Sequence, residues 1–187
     1  LGLSLSAVGL SQQRFLKEVL IGIGAQLIVV LYAVIFSTIQ GVPPRPDWPG
    51  TLVSGSLGQR LEIAAWLSKL IVTAVAVGVR EEMIYRGLVV GFLFTRWETR
   101  EDALRMSALS EPFKRIAIAS GREGALWLSA LVFALVHFEF ELPVLMARIV
   151  TGYIYGLLYV WRKNLTAAIT MHTLHNFCVW AGLLGSA

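Results

Sequence analysis

From Val19 to Ile39 the chain runs for 21 residues without a charge. At about 1.5 Å per helical residue, such a run covers a hydrocarbon core about 30 Å thick. One run of this kind fits the core of a soluble protein, but this chain has several near that length, and those fit only membrane-crossing helices. Composition agrees. The 187 residues are 56% hydrophobic and 15% charged, against about 25% charged for a soluble domain. The expected fold is therefore all-α, a polytopic transmembrane helix bundle forming a single domain over 1–187. The net charge of +4 invites a nucleic-acid reading, but the basic residues cluster beside apolar segments, where membrane flanks account for them. The expected partner is the lipid bilayer, with no nucleic acid. Cys178 is the single cysteine, so no internal disulfide and no cysteine-based metal motif is available. The first apolar run is too long for an ordinary signal peptide and lacks a small-residue cleavage pattern.

Four prolines between Gly41 and Gly50 predict a loop, with Trp48 as an interface anchor. A long helical region then spans about Leu61 to Trp97. It is longer than a bilayer needs, so it overhangs, breaks near Gly78, or forms two short passes. Residues 98–123 read as a cytosolic or interfacial amphipathic helix, with Phe113, Ile116 and Ala117 on one face. Apolar segments follow at about 124–138, 142–161 and 165–184. Arg96, Arg100, Arg105, Lys114, Arg115 and Arg122 put the 98–123 stretch on the cytosolic side. Residues 139–142, with no Lys or Arg, then lie outside, and Arg162 and Lys163 return the chain to the basic side.

The anomaly in this pattern is the stretch Arg80 to Gly87. Residues 63–79 and 87–94 carry only Lys69 between them, yet Glu81, Glu82 and Arg86 sit in the middle. An ionisable side chain at the centre of a membrane helix costs at least about 2.5 kcal/mol and is usually paired or functional. Glu82 and Arg86 are four apart with the carboxylate first, the better order for a helical ion pair. Glu81 points elsewhere and needs a distant partner. All three histidines also fall in apolar segments: His137, His172 and His175. Phe133 shares a helical face with His137, and His172 shares one with Asn176. Counting from the cytosolic ends puts Glu81 and His137 roughly 20–24 Å deep and His172 and Asn176 roughly 12–18 Å. With ordinary tilt these depths overlap, so three segments can bring their polar groups to one intramembrane site.

Each of these residues also has a plainer reading. A membrane histidine can simply bond a carbonyl on another helix, Glu82 with Arg86 makes a structural ion pair, and Tyr153, Tyr155 and Tyr159 are by default belt or packing residues. The plain reading weakens when Glu, His and His-with-Asn recur on three segments at matching depth. A carboxylate and an imidazole can share a water, with the carboxylate as general base. A second imidazole and an amide can donate to the oxyanion formed when that water attacks a carbonyl.

Glu81-Glu82-x-x-x-Arg86, Phe133-x-x-x-His137 and His172-x-x-x-Asn176, in that order on successive apolar segments, resemble the type II CAAX prenyl protease family, whose wider group covers CAAX proteases and bacteriocin-processing enzymes. The resemblance covers roughly residues 60–180. It implies a metal-independent intramembrane glutamic endopeptidase. Glu81 with His137 would activate water, His172 and Asn176 would stabilise the oxyanion, and Glu82, Arg86 and Phe133 would support the site. The implied substrate is a membrane-associated peptide or protein, with or without a prenyl group. Tyr85 stands where the family often has Phe. Members often carry more membrane segments upstream, and no Met opens this chain, so a trimmed, processed or partial chain is expected. Two other classes stay open. Glu81, His137 and His172 could form a zinc shell with one open position, and a non-enzymatic transport or peptide-immunity bundle would use the same polar groups without hydrolysis.

Overall fold

The computed structural model describes residues 14–39, 46, 48–94, 96, 102, 105–106, 110–138 and 140–184, and no strand occurs among them. The helices in chain order are α1 (Phe15–Ile39), α2 (Trp48–Ser54), α3 (Leu57–Glu82), α4 (Glu111–Leu135), α5 (Leu142–Arg162) and α6 (Leu165–Trp180). Among the described residues, four stretches are long and apolar enough to cross a membrane: Phe15–Ile35, Leu57–Phe94, Ile118–Leu135 and Leu142–Arg162. The chain is thus a multi-pass integral membrane protein with an all-α fold. Its polarity is reversed from that of a soluble domain. On α1, Leu20, Leu27, Ile28 and Leu31 are exposed, while Glu18 and Gln26 are buried.

Several expectations resolve here. Leu57–Phe94 is one uninterrupted 38-residue helical stretch, so the chain does not break at Gly78. Its irregularity comes later, where α3 runs on as a π-helix over Met83–Val90. Residues 111–123 are the first half of α4, continuous with the span, and not a separate surface element. Pro112 sits in the first turn, where its missing N–H breaks no helical bond. The last apolar segment is helical only to Trp180, 16 residues, or about 24 Å, short of a full crossing. Most of the proline-rich loop at 41–47, most of the connection between 97 and 109, including Arg100, then Glu139, and the side chains of Phe113, Ile116 and Ala117 lie outside the described residues.

The described chain divides into two compact units, one within Glu81–Leu165 and the other within Gln12–Arg80 and Thr166–Ala187. In the second unit, Ser56 and Gln59 start α3 with a reciprocal capping box. The Ser56 N–H donates to Gln59 Oε1 at 2.8 Å, and the Gln59 N–H donates to Ser56 Oγ at 3.4 Å. Trp48 lies at the start of α2, where its indole N–H donates to the Ala181 carbonyl at 2.9 Å. Glycines let neighbouring backbones approach α6 closely. A Cβ on Gly22 of α1 would lie 2.6 Å from the Ala167 carbonyl oxygen and 2.7 Å from Thr170 Cβ. A Cβ on Gly78 of α3 would lie 2.5 Å from Thr173 Oγ1 and 3.2 Å from its backbone nitrogen. In the first unit α4 and α5 form an antiparallel hairpin, packed where Gly152 meets Phe133 and Ala130 and where Gly156 meets Leu126.

These contacts set a contrast that thermal melting in detergent reads directly. Gly22→Val overpacks the α1–α6 contact and lowers stability by about 1–3 kcal/mol. Gly24→Val, at a site with nothing within 4 Å, changes the midpoint little.

Candidate active site

The site grows from a residue that has no neutral form. Arg86 is fully buried, and a guanidinium stays protonated in proteins, so its surroundings must supply counter-charge and acceptors. Glu82, also fully buried, supplies the charge one turn earlier, with Oε1 3.0 Å from Arg86 Nη1. The Gly152 carbonyl of α5 accepts from Arg86 Nη2 at 2.8 Å. Aromatic rings close the remaining faces, with the guanidinium carbon 4.6 Å from the Phe133 ring centre and 5.2 Å from that of Tyr155. Cation–π attraction is strongest where water is excluded, as it is here. Tyr85 completes the cluster, set edge-on to Phe133 at 5.3 Å.

Arg86 lies inside the π-helical stretch, and the irregularity is visible in the bonding: the Gly91 N–H reaches back five residues to the Arg86 carbonyl. A π-turn of this kind is rare and tends to occur at functional sites. The expected four-residue spacing of Glu82 and Arg86 still yields their ion pair, because Glu82 is the last residue before the change in winding.

Phe133 links the brace to the histidine. Its ring lies against Arg86, and its carbonyl takes a hydrogen bond from His137 Nδ1 at 2.7 Å. Because a carbonyl only accepts, Nδ1 carries the hydrogen, and in the neutral ring Nε2 holds the lone pair. Nε2 lies 3.7 Å from Glu81 Oε2. Glu81, which has no local partner in the sequence, thus faces His137 across 3.7 Å. Both side chains are partly accessible, at 14% for Glu81 and 21% for His137, unlike the sealed Glu82–Arg86 pair beside them.

His137 does not sit within a helix as expected. α4 ends at Leu135, and residues 136–138 form a turn in which the N–H groups of His137 and Phe138 bond back only three residues, to Ala134 and Leu135. Phe138 takes φ of 55°, the left-handed region, which reverses the chain toward α5. His172 and Asn176 lie on α6 in the second unit, one turn apart on one face, with His172 buried. Among the described residues no group of three or more His, Cys, Asp or Glu side chains gathers closely enough to hold a metal ion.

Two contributors escaped sequence reading. Tyr155, expected to be ordinary packing, is buried against Arg86 and Phe133. Gly152 supplies a carbonyl, and a Cβ there would come 2.9 Å from the Phe133 ring. The available signal was Gly152-x-x-x-Gly156, a small-residue spacing that marks close helix contact in membranes.

The fold and this site define a polytopic membrane protein with a buried ionic brace beside an accessible carboxylate–imidazole pair. The sequence matches the family described as type II CAAX prenyl endopeptidase Rce1-like over residues 63–178, and the chain belongs to that family. At family level this places it among CAAX-type membrane proteases. Comparison with curated proteins and with solved structures gives no match.

Breaking the brace from one side strands a buried charge. Arg86→Met is expected to cost about 3–5 kcal/mol, and the double change Glu82→Gln with Arg86→Met to cost less than Arg86→Met alone. Denaturation in mild detergent checks the order.

Proposed function

We propose that this protein is an intramembrane endopeptidase that hydrolyses a peptide bond with water activated by Glu81 and His137. The observation that carries the reading is the placement of the buried Glu81 Oε2 3.7 Å from His137 Nε2, on two side chains that are each partly accessible. A separation just beyond hydrogen-bond length suits two groups that share a water rather than each other. In the reaction Glu81 accepts a proton from that water as its oxygen attacks the scissile carbonyl. The proton is then delivered to the departing amine. The hydrogen bond from Nδ1 to Phe133 fixes the His137 ring so that Nε2 faces the reacting water, and Arg86 holds Phe133 by stacking on its ring.

His172 and Asn176 are the proposed donors to the oxyanion. Their i,i+4 spacing on α6 sends both side chains from one face, and the close contact between Gly78 and Thr173, the residue after His172, supports a fixed height for that face. The family description supports a prenylated, membrane-associated protein or peptide as substrate. None of these steps requires a metal.

Cleavage of a fluorogenic lipidated peptide ending in a CAAX-type sequence tests the mechanism. Glu81→Gln is expected to lower kcat by about 10²–10⁴-fold, the usual range for a lost general base. Asn176→Ala is expected to lower it by about 10²–10³-fold, as for a lost oxyanion donor. A chelator should leave the wild-type rate unchanged. Full activity in Glu81→Gln would defeat the mechanism, and loss of activity with chelator would move the site to a metal.

A further inference from the structure

α5 contributes no group to the reacting set, yet one of its side chains reaches the histidine in two steps. His137 is held at two points by a single residue. Its Nδ1–H donates to the Phe133 carbonyl at 2.7 Å, and its ring centre lies 4.8 Å from that of Phe133, with the planes 64° apart. The first contact follows from where α4 stops. Beyond Leu135 the His137 backbone N–H, which a continuing helix would have bonded to the Phe133 carbonyl, goes to Ala134 instead. The side chain of the same residue takes its place. The orientation of His137 therefore depends on how firmly Phe133 is held.

Tyr85, Arg86 and Tyr155 all bear on the Phe133 ring. Tyr85 and Arg86 belong to the π-helical stretch, whereas Tyr155 comes from α5. It meets the Phe133 ring edge-on at 6.3 Å and lies 5.2 Å from the Arg86 guanidinium carbon. Gly152, nearly one turn earlier on α5, lets the helix come this close, since a Cβ there would lie 2.9 Å from the same ring. Tyr155 is 1% exposed, so truncating its ring opens a cavity that the neighbours fill only in part. Phe133 then gains room to turn, and the imidazole loses the surface it lies against.

We infer that Tyr155 is a positioning residue for His137: its ring holds the Phe133 ring, and Phe133 in turn fixes the imidazole with its hydrogen on Nδ1. The catalytic consequence rests on the hydrolysis proposed above, but the geometry does not. The test is nitrogen NMR of the full chain labelled at histidine, in detergent micelles and at a pH where the imidazole is neutral. His137 signals are assigned by their loss in His137→Gln. Wild type is expected to show the Nδ1–H tautomer. Tyr155→Leu should lower the ratio of Nδ1–H to Nε2–H about 10-fold, the worth of one hydrogen bond. Tyr155→Phe, which keeps the ring, should leave it unchanged, and Tyr155→Met replaces Tyr155→Leu if that variant does not fold. Leu126→Ala, two turns before Phe133 in the α4–α5 contact, controls for general loosening and should also leave the ratio alone. On a CAAX-type peptide, Tyr155→Leu should lower kcat about 10-fold with KM held within about twofold. Nε2–H in wild type, an unchanged ratio in Tyr155→Leu, or equal loss in Tyr155→Phe or in Leu126→Ala would each overturn the inference. A shifted ratio without cleavage by any form, wild type included, would uphold the positioning role and defeat the hydrolytic function instead.

Discussion

A guanidinium sealed in an apolar bundle imposes its needs on every helix around it. Arg86 cannot give up its charge, and it is wholly inaccessible, so leaving it without partners would cost several kcal/mol. Each element of the first unit answers one need. α3 supplies the Glu82 carboxylate, α4 the Phe133 ring, and α5 the Gly152 carbonyl and the Tyr155 ring. Because the Phe133 carbonyl also accepts from His137, the residue whose ring lies against Arg86 orients the imidazole as well. The ionic brace and the Glu81–His137 pair are thus one connected assembly.

Two adjacent carboxylates divide the labour. Successive residues on a helix point about 100° apart, so Glu82 can turn into the brace while Glu81 meets a different element. The outcome is a sealed acid with a permanent cationic partner beside an accessible acid facing an imidazole. The first arrangement fixes charge, and the second leaves room for proton movement. Only the second has the properties that hydrolysis by activated water requires.

Close helix contact in this protein depends on glycine, because the bilayer supplies no hydrophobic drive between helices. Gly152 and Gly156 let α5 lie against α4, which brings the Gly152 carbonyl to Arg86. Gly22 and Gly78 do the same for α6 within the second unit. The approach also works outward. Many large apolar side chains face outward, while Glu82, Arg86 and His172 are buried.

Much of this was legible in the chain. Uncharged runs near 20 residues require membrane helices because of length and transfer cost alone. The i,i+4 order of Glu82 and Arg86 predicts their pairing, and the isolation of Glu81 predicts a remote partner; both are local or energetic arguments that need no coordinates. The identity of that partner was only one choice among the polar residues at matching depth. Tertiary structure decided it by ending α4 at Leu135 and turning His137 out of the helix toward Glu81. It also decided the π-helical winding around Arg86 and the burial of Tyr155, since each depends on which surfaces meet across helices. Sequence sets the period and polarity of each segment. The packing of one segment on another selects which of its faces becomes a site.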